Sequence, residues 1–176
     1  MPSSCRPFEH LSRKPIQCFV ARVYLETSFV SACVTDREDV ASIYRRDVSN
    51  RWWAEQRQRH EVSISAEVIA ELSRDGFRRG MEALSLIRGV PLLDIDDHVR
   101  GVAEVFVREL VMPRPVGGDA IHIAVCCVRG IDCVLSWNVQ HLANPSKAAH
   151  LRVICGRMGL MTPAIVTPDN YFWEDK

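Results

Sequence analysis

The chain has no surplus of either charge, with 22 Lys+Arg against 22 Asp+Glu and a formal net charge of zero. Without a global positive field, any contact with a polyanion has to come from a local patch. No stretch approaches the roughly 18 uninterrupted apolar residues of a membrane span, and the first residues lack the apolar middle segment of a secretory signal. A soluble protein with no membrane partner is therefore expected. The seven cysteines (5, 18, 33, 126, 127, 133 and 155) form no Cys-x-x-Cys pair and none of the usual zinc spacings. Most sit in apolar runs, where a reduced thiol packs as a small hydrophobe, which points to a reducing cytoplasm.

There is no internal repeat and no low-complexity tract. What is present is 47% hydrophobic content over 176 residues, enough for one well-packed core and too little for two comfortable domains. Residues 1–18 carry Pro2, Pro7 and Pro15 among scattered Ser, Arg and Lys and show neither a helical nor a strand period. They are expected to be a flexible leader ahead of a single domain over 19–176.

Along that domain, strand-like and helix-like segments alternate. Phe19 to Glu26 reads as a buried first strand ending at the polar Thr27-Ser28. From Asp39 to about Arg59, Val40, Tyr44, Val48 and Trp52 recur every fourth residue, which predicts an amphipathic helix. Glu61 to Ile64 is a second strand, and Ser65 is positioned to cap the helix that carries Glu67 and Glu71. A helix over 77–88 and a strand over 91–95 follow. Asp96-Asp97 then open a helix with Val99, Val102, Ala103, Phe106 and Leu110 on one face. Two prolines and two glycines make 112–118 a loop, which delivers Asp119 to a helix apolar almost all round through Val128. Ile131 to Ser136 is a fourth strand, and after a polar loop and a helix Ala164 to Thr167 is a fifth. The alternation predicts an α/β sandwich with a mainly parallel sheet, whose ligands gather at the carboxyl ends of the strands.

Several acids and amides fall at those ends. Glu26 reads either as an exposed acid at a strand end or as a cation ligand. Glu67 and Glu71 share one side of their helix, and at about 100° per residue Glu71 lies nearer the apolar arc of Val68, Ile69 and Leu72. Asp119 reads as a helix-start acid favoured by the macrodipole or as something more, since the rest of its helix is apolar and Gly117-Gly118 allows close backbone approach. His122 shares a side with Asp119, Cys126 and Arg129 and reads as a hydrogen-bonded core or supporting residue rather than a zinc ligand. Asn138 ends the fourth strand and forms a polar loop with His141 and Asn144. Arg45, Arg46, Arg51, Arg57 and Arg59 interleave with Trp52 and Trp53, as a solvated helix face or as an RNA-facing or partner-facing strip.

Four pieces in order carry a resemblance: Val23-Tyr24-Leu25-Glu26-Thr27-Ser28, Ser65-Ala66-Glu67-Val68-Ile69-Ala70-Glu71-Leu72, Gly118-Asp119-Ala120-Ile121-His122-Ile123-Ala124 and Cys133-Val134-Leu135-Ser136-Trp137-Asn138. Together they resemble the PIN domain, a family of metal-dependent nucleases that includes the VapC toxins. The resemblance implies a three-layer α/β sandwich with a central, mainly parallel five-stranded sheet in the order 3-2-1-4-5. It implies Mg²⁺ or Mn²⁺ held by Glu26, Glu71 and Asp119, with Asn138 assisting catalysis. Ser28, His122, His141 and Asn144 would support the ligands or the substrate. It further implies an RNA substrate, an antitoxin partner and a homodimer in the cytoplasm. Two positions depart from the pattern, because PIN domains usually have Asp where Glu26 and Asn138 stand. A PIN module that binds RNA or a protein without cutting is the alternative those departures motivate. Carboxylates gathered without a cation repel, so the metal-free site is expected to have raised acid pKa values.

Overall fold

The computed structural model describes residues 20–138 and 145–171. The proposed leader over 1–18, His141 and Asn144 lie outside the described residues. The strands are β1 (Arg22–Leu25), β2 (Glu61–Ser65), β3 (Leu92–Leu93), β4 (Cys133–Leu135) and β5 (Ala164–Val166). They form one sheet in the order β3-β2-β1-β4-β5, and every pairing is parallel. The helices are α1 (Thr27–Val34), α2 (Val40–Glu55), α3 (Ala66–Leu72), α4 (Gly80–Leu86), α5 (Asp97–Arg108), α6 (Asp119–Arg129), α7 (Pro145–Arg157) and α8 (Pro168–Tyr171). α5 packs on α6, while α1 packs on α2, α3 and α4, so two helical layers enclose the sheet.

β1 is central because its sequence allows nothing else. Val23, Tyr24 and Leu25 are completely buried, and a strand covered on both faces needs a continuous apolar run. The sheet grows from β1 through β2 to β3 on one side and through β4 to β5 on the other. The chain therefore reverses direction across the sheet between β1 and β4, and a crevice opens at their carboxyl ends. There Tyr24 pairs with Val134 and Leu25 with Leu135, and the Glu26 N–H donates to the Leu135 carbonyl at 3.1 Å.

The structure corrects four expectations. α1 was not foreseen: it is only eight residues long, five of them buried, and its polar stripe is just Ser28 and Ser31, too short for a 3.6-residue period to be read. In α2 only the second half of the expected face is buried, since Val48 and Trp52 enter the core while Val40 and Tyr44 are exposed. Leu110 does not continue the apolar face of α5. That helix ends at Arg108, and Leu110 is exposed with φ +58°. The helix expected from residue 77 begins only at Gly80, because Arg79 stands in the left-handed region at φ 63° and breaks the turn.

Candidate functional site

Glu26 directly follows β1 and is buried, only 4% exposed, where an isolated carboxylate is costly to desolvate. Three groups offset that cost at its Oε2. The Ser28 N–H donates at 3.0 Å, the Ser136 hydroxyl at 2.8 Å, and the Ser28 hydroxyl also donates. Glu26 is thus the N-cap of α1, with its charge set against the positive end of the helix dipole. The same hydroxyls fix the far side of the crevice. Ser28 Oγ accepts from the Trp137 N–H at 2.8 Å and Ser136 Oγ from the Asn138 N–H at 2.9 Å.

Glu71, on α3, points into the same crevice. Its Oε2 accepts from the Thr27 hydroxyl and lies 3.1 Å from His122 Nε2. The other imidazole nitrogen is 2.7 Å from the Tyr24 hydroxyl, which in turn is 2.7 Å from Ser65 Oγ. Ser65 occupies the N-cap position of α3 as expected. Its hydroxyl makes no cap hydrogen bond to that helix, being spent on Tyr24. Burial alone would lower the His122 pKa. The hydrogen bond to Glu71 and the charges of Glu26, Glu71 and Glu67 outweigh it and hold the imidazole above its ordinary value. Burial likewise pushes Glu71 up, but the hydrogen bonds from His122 and Thr27 win and its pKa is lowered. The expected rise in acid pKa therefore fails at Glu71, because the imidazole and the Thr27 hydroxyl hydrogen-bond to its carboxylate and favour the charged form.

Asp119 is the first residue of α6 and is half-buried, and its Oδ1 accepts from the Asn138 side-chain amide at 3.0 Å. The loop before it is drawn in by the acids of α3. Glu67 Oε1 accepts from the Gly118 N–H at 2.8 Å, and a Cβ at Gly118 would stand 3.3 Å from Glu71 Oε1. With φ +47°, Gly118 is a position where a side chain would be both strained and crowded. Of the two acids on α3, Glu71 reaches the imidazole and Glu67 holds the loop.

Among the described residues, Glu26, Glu71 and His122 offer ligand atoms that all lie within 4.8 Å of one another. Two carboxylates and an imidazole in one crevice are a donor set that fits a divalent cation. Sequence reasoning placed His122 near the acids but passed over Tyr24, Thr27, Ser65 and Ser136. A usable signal existed for Tyr24: a tyrosine in a buried strand needs a partner for its hydroxyl.

Beside this crevice lies a cleft of about 410 Å³, shared with it through Ser28 and Asn138. Four arginines line it: Arg37, Arg45, Arg78 and Arg79. The basic strip read from α2 is not one surface. Arg45 stacks on Trp137 at 5.6 Å, Arg57 stacks on Trp53 at 4.5 Å, and Trp52 is in the core.

No family model matches the chain, and no curated protein does. Solved structures do. The chain is similar to VapC20 of Mycobacterium tuberculosis, described as a sarcin-ricin loop cleaving toxin, at 23% identity and a TM-score of 0.53, over 69% of this chain and 93% of that one. It is also similar to a chain of VapBC2 from Rickettsia felis, solved bound to a DNA fragment from its promoter, at 8% identity and a TM-score of 0.50, over 82% and 97%. The likeness is one of fold, and the fold is that of a PIN domain.

Proposed function

We propose that this PIN-type fold is a metal-dependent ribonuclease, the toxin of a toxin-antitoxin pair. The observation that carries the reading is the convergence of Glu26, Glu71 and His122 at the carboxyl ends of β1 and β4, with Asp119 tied to the same crevice through Asn138 and Ser136. The likeness to VapC20 supports the choice of RNA, and the likeness to VapBC2 supports an antitoxin partner in the cytoplasm. A homodimer rests on the family resemblance alone.

Glu26, Glu71 and His122 are the residues whose ligand atoms lie together and would hold Mg²⁺ or Mn²⁺; Asp119, which the resemblance adds to the set, is not in that group and reaches it through Asn138 and Ser136. A divalent cation there supplies acidification of water and neutralisation of charge on a phosphodiester under attack. The chain supplies the rest. Ser28 and Ser136 aim the Glu26 carboxylate, and Thr27 aims that of Glu71. Tyr24 fixes the plane of the imidazole, and the Asn138 amide orients Asp119. These supporting hydrogen bonds set the direction of each donor before an ion arrives, as the partners of metal ligands commonly do.

A second reading, a module that binds RNA or protein without cutting, is favoured by one observation. The buried acids are already satisfied by hydroxyls and an imidazole, so the fold does not need a cation to exist. RNA cleavage with Mn²⁺ or Mg²⁺, wild type against Asp119→Asn, separates the two. Cleavage lost in the variant supports the nuclease; equal rates in both remove it.

A further inference from the structure

The arginine-lined cleft has no part in holding an ion, yet it adjoins the acid crevice, sharing Ser28 and Asn138 with it. We propose that it binds one nucleotide of a single-stranded RNA, its phosphate held by Arg37 and Arg79 and its base laid on the Arg45–Trp137 stack. The proposal rests on the nuclease reading for its substrate and adds the path by which that substrate reaches the acids.

Four observations bear on it. A chain of zero net charge that binds a polyanion needs a local cationic surface, and here arginines from three separate segments meet in one cleft of about 410 Å³. They are not equally neutralised. Arg78 pairs with Asp36 at 2.9 Å and Arg79 with Glu82 at 3.3 Å, whereas Arg37 and Arg45 form no salt bridge among the described residues. Trp137 is locked in place, its backbone N–H donating to Ser28 Oγ and its indole N–H to Ser49 Oγ, each at 2.8 Å, and the exposed Arg45 guanidinium lies over its ring. A guanidinium over an indole, its carbon 5.6 Å from the ring centroid, offers an unpaired base stacking and cation–π partners without regard to sequence.

The fourth observation is strain. Arg79 is held at φ 63° and ψ 29°, a conformation that costs a side-chain-bearing residue energy and that glycine normally fills. The next residue, Gly80, is pressed against α3 so closely that a Cβ would stand 2.5 Å from the Leu72 carbonyl. Tight seating of Gly80 keeps the turn fixed, and the turn places Arg78 and Arg79 in the cleft. An acidic protein segment would use the arginines but has no use for the stack, so RNA is the better occupant.

The test is fluorescence polarisation of a labelled, short single-stranded RNA with the full chain in EDTA, where cleavage cannot occur. Wild type should bind. Arg37→Glu with Arg45→Glu should raise Kd roughly tenfold or more and reduce the slope of log K against log salt by about one for each phosphate no longer neutralised. Arg45→Lys keeps the charge and loses the plane, so it should weaken binding while leaving the salt slope unchanged. Arg57→Glu, outside the cleft, should change little, and the same RNA in duplex form should bind more weakly. The proposal is overturned if wild type binds no RNA or if the double variant binds as wild type does. It is also overturned if polyglutamate displaces the RNA as well as unlabelled RNA does, which would assign the cleft to an acidic protein. Cleavage with Mn²⁺ by a double variant of unchanged affinity would sink the cleft and spare the nuclease. Weakened binding by that variant, with no cleavage by wild type, would do the reverse.

Discussion

The two ends of one parallel sheet solve opposite problems. At the amino end the charged groups, Arg22 and Glu61 among them, are exposed. The Arg22 guanidinium donates to the Gly130 carbonyl at 2.9 Å and faces Glu61 at 4.0 Å, and Asp132 accepts from the Arg22 N–H at 2.8 Å. A larger cavity opens there, about 630 Å³ among Arg22, Val62, Pro91 and Leu93, but no cluster of acids lines it. At the carboxyl end Glu26, His122, Ser65 and Ser136 are buried and Glu71 half-buried, and every one of them is hydrogen-bonded to another polar side chain. Cavity size thus does not locate chemistry in this molecule. The proposed chemistry is placed instead at the end where desolvated charge has been retained and supported.

The sharpest way to break that contrast is Glu71→Gln. It keeps the shape of α3 but removes the charge that faces His122 and the pocket. Mn²⁺-dependent cleavage is expected to fall by at least ~100-fold, the upper end of the loss that follows removal of a merely supporting group at a metal site. Titration with Mn²⁺ followed by thermal unfolding gives a second readout: wild type should gain stability with metal and the variant should gain little. A variant that cleaves and binds Mn²⁺ as wild type does would mean that the carboxyl end is polar for structural reasons only.

The fold was legible where burial produces a regular pattern. The continuous apolar run of β1, the all-apolar α6 and the proline-glycine loop before it were each readable, and with the family resemblance they gave the strand order that the sheet adopts. α1 was not readable, since eight residues with a two-serine polar stripe are too few to establish a period. The cleft arginines were not either. Arg37, Arg45, Arg78 and Arg79 come from separate segments, and only Arg45 lies in the strip that the sequence displayed. Glu26, Glu71 and Asp119 were singled out because each borders an apolar element and the family resemblance pointed to the same three. His122 was named only as a supporting residue; that its ring stands between Glu71 and Tyr24 depends on how α6 crosses β1 and α3.

A smaller effect follows from that imidazole and is best measured on metal-free protein in EDTA. His122 has a pKa raised above 6.5, so its contribution to stability is fully present below pH 6.5 and is lost as pH rises through the raised folded value. Glu71 has a pKa lowered below 4.5, so its contribution is present above pH 4.5 and is lost as pH falls through the lowered folded value. The pair therefore stabilises most between pH 4.5 and 6.5. Urea unfolding should show stability declining above that window, and His122→Gln should flatten the decline. An unchanged alkaline slope in the variant would mean that the imidazole is neutral throughout and that the acids are balanced by hydroxyls alone.

The least effect is expected from Arg22→Ala, at the other end of the same central strand. Its side chain is 44% exposed, that of Glu61 72%, and their separation of 4.0 Å is at the limit of an ion pair, so the electrostatic loss should stay below ~1 kcal/mol. The hydrogen bond to the Gly130 carbonyl is also exposed, and water can replace it. Cleavage should not change, because β1 is held in register by its backbone pairing to β2 and β4 rather than by this side chain. If Arg22→Ala lowered the cleavage rate while leaving the urea midpoint in place, the amino end would be coupled to the acids through β1. The division of the sheet into a supporting end and a reacting end would then be wrong.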